Sequence, residues 1–180
     1  MLSIDPLNLD SFMLDEVRAY LRLDQDAEDT SLGAILLAAI VHAESFTRQI
    51  MIRRTVREIM PSSSHWQRLS ASPVAAVVAV AGIPAEGSHF AMDESHYTAR
   101  IDADGDAYIS VRRAGSAGRI EVTYQAGLAA SWSDLPESLR LAILRMTGHL
   151  HLYRDNDGDA GPPAAVAALL RPWRRMRLSA

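Results

Sequence analysis

The sequence has no cysteine. That excludes a disulfide scaffold, a thiol nucleophile and cysteine-ligated zinc together, and it fits a chain folding in a reducing cytoplasm. Long apolar runs are missing too. The longest, Ala34 to Val41 and Val74 to Ala81, fall well short of the ~20 residues that cross a bilayer. Met1 to Pro6 carries no basic region followed by an apolar run, so no secretory signal and no membrane partner are expected. Basic residues are not in excess: 18 Lys and Arg stand against 22 Asp and Glu, a formal charge of −4. The chain as a whole therefore does not read as a DNA binder. There is no GxxxxGK[ST] or GxGxxG to cradle a nucleotide and no GxSxG. Ser62 to Ser64 beside His65 lie too close in sequence to imply a triad. No enzyme, catalytic residue or cofactor is expected.

Metal ligation fares no better. Asp102, Asp104 and Asp106 alternate like the opening of an EF-hand loop, but Ala107 stands where that loop needs glycine and Arg113 where it needs glutamate. Asp155, Asp157 and Asp159 fail the same test, with Ala160 and Val166 in those places. Tight turns held by Asp side chains and glycine are the better reading. His149 and His151, two apart, point to different sides of a helix. His42 lies on a separate helix, and His65, His89 and His96 fall in loops or strand edges. No zinc motif of the HExxH kind results, and the histidines are expected to be satisfied or solvent-facing.

What is present is periodicity. Phe12, Met13, Val17, Tyr20 and Leu21 recur at helical spacing after the candidate caps Asp10 and Ser11. Leu32, Ile35, Leu36, Ala39, Ile40, Ala43 and Phe46 form a second, broader stripe. Pro136 opens a third helix through Leu139, Ala142, Ile143, Met146, Leu150 and Tyr153. Helices are expected over residues 11–23, 30–48, 136–154 and 164–170, with a turn-rich break over 155–163. Between them, residues 51–125 read as a small, mostly antiparallel β-region. Its strands are expected near Met51–Met60, Trp66–Leu69, Pro73–Val80, His96–Ile101, Ala107–Arg112 and Ile120–Tyr124. In the first, Ile52, Val56 and Ile59 are the expected inward positions, with a slip in register before Ile59. The fold class is α+β, mainly α, with a body over 1–170 and a basic segment over 171–180.

That segment, RPWRRMRLSA, sets Arg171, Arg174, Arg175 and Arg177 around Trp173 and Met176. Its arginines suit an acidic groove on another protein or phosphates. It also reads as a solvated end whose Trp173 tucks against the domain.

The order of features resembles the head–tail connector (adaptor) family of long-tailed phages and of phage-derived particles such as gene transfer agents. Val17 to Asp24 (VRAYLRLD) is similar to the family's K-x-x-L-R-hydrophobic-D opening, with Arg18 in place of lysine. Glu28-Asp29 before Leu32, Ile35 and Leu36, then Ala43-Glu44 and Phe46-Thr47, resemble its second helix. Ser72-Pro73-Val74 with Val77 matches its short P-V strand, and Ile120 to Gly127 (IEVTYQAG) its I-x-V-x-Y-x-A-G strand. Leu135-Pro136, Leu152-Tyr153-Arg154, Val166, Leu169-Leu170 and Pro172-Trp173-Arg174 resemble its closing pattern. None of these is specific singly; their order across nearly the whole chain is. Ala85 to His96 has no matching pattern.

The resemblance implies a helical bundle with an inserted small β-region and an extended C-terminal segment. Copies are expected to assemble as a ring of twelve beneath the portal protein, extending the channel through which genomic DNA passes without sequence-specific binding. The ring would present a surface to a head-completion (stopper) or tail-terminator protein. Arg171, Trp173, Arg174, Arg175 and Arg177 are the implied portal-docking residues. The implied place is the head–tail junction of a virion or virion-like particle made in the bacterial cytoplasm. Two rivals stand beside this reading: a DNA-binding accessory protein acting through the arginine-rich C-terminus, and a small-ligand domain using His149 or His151.

Overall fold

The computed structural model describes residues 1–23, 29–153 and 162–175. The chain divides into two compact units, one of Met1–Pro6 with Ile52–Leu128 and one of Leu7–Met51 with Ala129–Ala180. The expected class, a mainly helical bundle with a small β insertion, is corrected here. The fold is mixed α+β, with 36% helix, 30% strand and two antiparallel sheets. Two strands are too short to display alternation, and two others run further than their clearest apolar stretch.

The β-unit holds β1 (Leu2–Ile4), β2 (Arg54–Pro61), β3 (Gln67–Arg68), β4 (Val74–Pro84), β5 (Phe90–Ala91), β6 (Tyr97–Ile101), β7 (Ala107–Val111) and β8 (Ala117–Ala126). One sheet runs β1-β2-β8-β4-β5 and the other β3-β7-β6. Strand β8 lies at the centre of the larger sheet. Its Ile120, Val122, Tyr124 and Ala126 are fully buried, the period of two that one covered face demands. Gly127 follows at φ +152°, its N–H donating to the Pro73 carbonyl at 2.8 Å. A Cβ there would lie 2.4 Å from both N and Cα of Arg53.

Strand β2 departs from the expected register. Val56, Glu58 and Met60 are buried, Ile59 is half-buried, and pairing with β8 runs without a slip from Arg54↔Ala126 to Pro61↔Arg119. No slip occurs because Glu58, not Ile59, takes the inward position after Val56. The carboxylate is buried because it is satisfied. It accepts the Tyr124 hydroxyl at 2.8 Å, the Ser70 N–H at 2.9 Å and the Ser70 hydroxyl. Tyr124 Oη in turn accepts the Ala71 N–H at 3.2 Å. This network ties the loop after β3 to the middle of the sheet.

The helical unit holds α1 (Ser11–Leu21), α2 (Asp29–Thr47), α3 (Glu137–Leu152) and α4 (Ala164–Leu170). Asp10 caps α1, its carboxylate accepting the Met13 N–H at 2.8 Å. Helix α2 packs against α3 and α4. By length and composition α2 is apolar enough to cross a membrane; here Leu32, Leu36, Ala39, Ile40 and Ala43 are buried in the core of the unit. That core also takes Leu139, Ala142, Ile143 and Met146 from α3 and Val166 and Leu170 from α4. Trp132, 1% exposed, donates its indole N–H to Glu16 at 2.7 Å, and Arg140 reaches the same carboxylate at 3.3 Å.

Candidate functional site

The segment beyond α4 continues the chain as a 3-10 turn over Arg171–Trp173, then extends at Arg174. The segment is tied to its own helical unit at four points. Trp173 donates its indole N–H to Ser138 Oγ at 3.1 Å, near the start of α3. Its carbonyl accepts the Gln49 amide just past α2. The Arg174 guanidinium lies 5.6 Å from the centre of the Phe46 ring, within cation–π range. The Arg175 N–H donates to the Thr47 carbonyl at 3.0 Å.

The local sequence explains this placement. The last carbonyls of a helix lack intrahelical partners and carry its partial negative charge. Helix α2 ends at Thr47 without a basic residue in its last turn. The backbone of Arg175 satisfies one of those carbonyls, while Arg174 and Arg175 bring positive charge to the same end. Arg171 and Arg174 remain exposed and Arg175 half-buried. Arg171, Trp173, Arg174 and Arg175 are thus gathered at one end of the helical unit. Arg177 lies outside the described residues. The arrangement offers cations, two of them exposed, on a partly buried tryptophan anchor, a surface suited to carboxylates.

The other candidates take structural roles. The Asp102 carboxylate accepts the N–H groups of Asp104 at 3.1 Å and Asp106 at 2.8 Å. Gly105 takes φ +76°, and Asp106 pairs with Arg68. This is a side-chain-braced turn between β6 and β7. The second acidic run, Asp155 to Asp159, lies outside the described residues. His149 and Tyr153 hold their ring centres 4.9 Å apart, tilted by 40°. Among the described residues no three His, Asp or Glu side chains gather as metal ligands.

Two features were not read from the sequence. Arg100 lies between aromatic rings, 5.0 Å from the Trp66 centroid and 4.8 Å from that of Tyr108. The signal for it is cross-strand, since Arg100 pairs with Tyr108 across β6 and β7. The second is Tyr124. Burial pushes its phenol well above the usual tyrosine range, the Glu58 carboxylate adds to the rise, and the Ala71 N–H opposes it.

No protein-family model matches the sequence, and no curated protein matches it. Solved structures do. A chain in the neck of an empty gene transfer agent (GTA) particle, computed with C6 symmetry, is 28% identical with a TM-score of 0.81, over 99% of this chain and 97% of that one. A chain of the native GTA virion is 28% identical with a TM-score of 0.76, over the same shares. A chain in the neck of a native GTA particle, computed with C12 symmetry, is 27% identical with a TM-score of 0.73, over 98% and 97%.

Proposed function

We propose that this chain, a phage-derived head–tail connector of the virion neck, forms a ring of twelve copies beneath the portal and joins the head to the tail. The role is structural, not enzymatic. The ring extends the DNA channel on one side and on the other presents a surface to a stopper or tail-terminator protein. The observation that carries this reading is the likeness to GTA neck chains over 98–99% of this chain. The acidic overall charge, −4, supports a channel that passes DNA without holding it, because phosphates bind basic surfaces.

Portal docking falls to Arg171, Trp173, Arg174, Arg175 and Arg177. Their grouping supports a contact with an acidic groove, where charge complementarity sets register and encounter rate. The double variant Arg171→Glu/Arg174→Glu is expected to weaken portal association about tenfold or more, and to do so most strongly at low salt. Binding assays across a salt series, with circular dichroism confirming the fold, check this. Unchanged association would remove the basic segment from the docking surface. Tight, salt-dependent binding to duplex DNA, lost in Arg174→Glu/Arg175→Glu, would favour the DNA-binding accessory role instead.

A further inference from the structure

We infer that the two outer edges of the five-stranded sheet join neighbouring copies of this chain, the β1 edge of one copy meeting the free stretch of β4 in the next. This deepens the ring reading and rests on it.

The inner side of β4 pairs with β8 from Val74 to Pro84. On the outer side, Val74 N–H donates to Gly105 at 2.8 Å and the Val80 carbonyl accepts Met92 N–H at 2.9 Å. Strand β5 pairs only with Ala81 and Gly82. Strand β6 approaches β4, but among the described residues no strand is hydrogen-bonded to the outer side of residues 75–79. All five side chains there are apolar; Ala75, Ala76, Val78 and Ala79 are exposed, and Val78 is 60% exposed. At the opposite edge, β1 pairs among the described residues only with β2, and its Leu2 and Ile4 are 44% and 39% exposed.

Soluble proteins normally guard such edges with charges, proline or bulges, because an open apolar strand is a template for another chain. Neither stretch carries a charge or a proline. The β4 edge has register shifts at Ala75 and Val78, which break it into short runs. Strand β1 is three residues long, so a short run is all it needs.

Strand direction fits as well. The neighbours β1-β2-β8-β4 are all antiparallel, so β1 and β4 run in opposite directions within one copy. A second copy set beside the first in the same orientation brings its β1 antiparallel to that β4 and continues the ladder. Such a contact uses two different surfaces. It is head-to-tail, the kind that closes into a ring when the rotation between copies allows. A self-complementary β4–β4 contact would stop at a dimer.

The cysteine-free chain makes the test direct. Ser3→Cys is combined with Ala76→Cys in one variant and with Val78→Cys in another, each assembled with the portal and mildly oxidised. A ladder of disulfide-linked multimers in either double variant, absent from all three single variants, is the expected result. Rings visible by electron microscopy without any ladder would overturn the edge contact while leaving the ring reading intact. Covalent dimers from Val78→Cys alone would overturn the head-to-tail arrangement. Failure of the unmodified chain to form rings would sink both readings. Val78→Glu gives a second measure: it is expected to abolish ring formation while far-ultraviolet circular dichroism stays unchanged, and rings formed as readily as by the unmodified chain would overturn the proposal.

Discussion

Gly127→Ala is expected to destabilise the β-unit by on the order of 3–5 kcal/mol, at the upper end of what one substitution does. Two costs combine. The backbone sits at φ +152°, where an L side chain is strained. The new methyl would also lie 2.4 Å from the Arg53 N and Cα, backbone atoms that cannot swing aside as a side-chain tip can. Relief would require pulling Gly127 away from Arg53, against the Gly127 N–H bond to Pro73. Gly118 provides the control: it lies near the start of β8, the strand that Gly127 follows, and a Cβ there meets nothing within 4 Å. Urea unfolding of both alanine variants checks the difference. A Gly127→Ala midpoint as high as that of Gly118→Ala would contradict the argument. The same geometry accounts for glycine at the end of the I-x-V-x-Y-x-A-G pattern, as the burial of Ile120, Val122 and Tyr124 accounts for its other positions.

Glu58→Ala is the second large effect, expected at about 3 kcal/mol. It strips the acceptor from the Tyr124 hydroxyl, a buried donor whose lost partner costs about 1–3 kcal/mol, and from the N–H and hydroxyl of Ser70, which lie nearer solvent and add less. Glu58→Gln keeps an acceptor oxygen and should lose less. Tyr124→Phe has a further signature in pH. The folded state raises the Tyr124 pKa above the ordinary value. Above about pH 10 the unfolded chain gives up that proton first and binds fewer protons than the folded chain. Stability is therefore full below that range and falls as pH rises through it. Tyr97 is raised as well, chiefly by burial, so Tyr124→Phe should flatten the alkaline decline without abolishing it. Thermal unfolding from pH 8 to 11 checks the slope; an identical decline in both proteins would remove Tyr124 as its source.

These two sites mark where sequence pattern succeeds and where it stops. Spacing is a local property. Leu139, Ala142, Ile143 and Met146 recur at helical intervals and are buried together, and the alternation of Ile120, Val122 and Tyr124 identifies a strand with one covered face. Glu58 is different. Its burial depends on Ser70, 12 residues away, and Tyr124, 66 residues away, partners that no local pattern around Glu58 reveals. The balance of fold class failed for a similar reason. Leu2–Ile4 and Phe90–Ala91 become strands only by pairing with β2 and β4. Strand β4 continues past Gly82, which accommodates Phe90 so closely that a Cβ would lie 2.4 Å from its ring.

The C-terminal segment shows the same limit at the candidate site. Four arginines around a tryptophan were visible in the sequence, but composition left docking, solvation and phosphate contact open. The partners of Trp173, Ser138 and Gln49, are 35 and 124 residues distant, beyond any local pattern. Because those bonds hold the segment to its own helical unit, the proposed portal docking must either use the segment in this position, through the exposed Arg171 and Arg174, or exchange these bonds for contacts with the portal. Removing residues 171–180 is expected to abolish portal association in both cases.

Electron microscopy of the purified chain mixed with its cognate portal tests the central claim most directly. A closed ring added beneath the portal, coaxial with its channel and containing twelve copies, is the expected result. Two well-folded proteins that stay separate, with no density added to the portal, would contradict it.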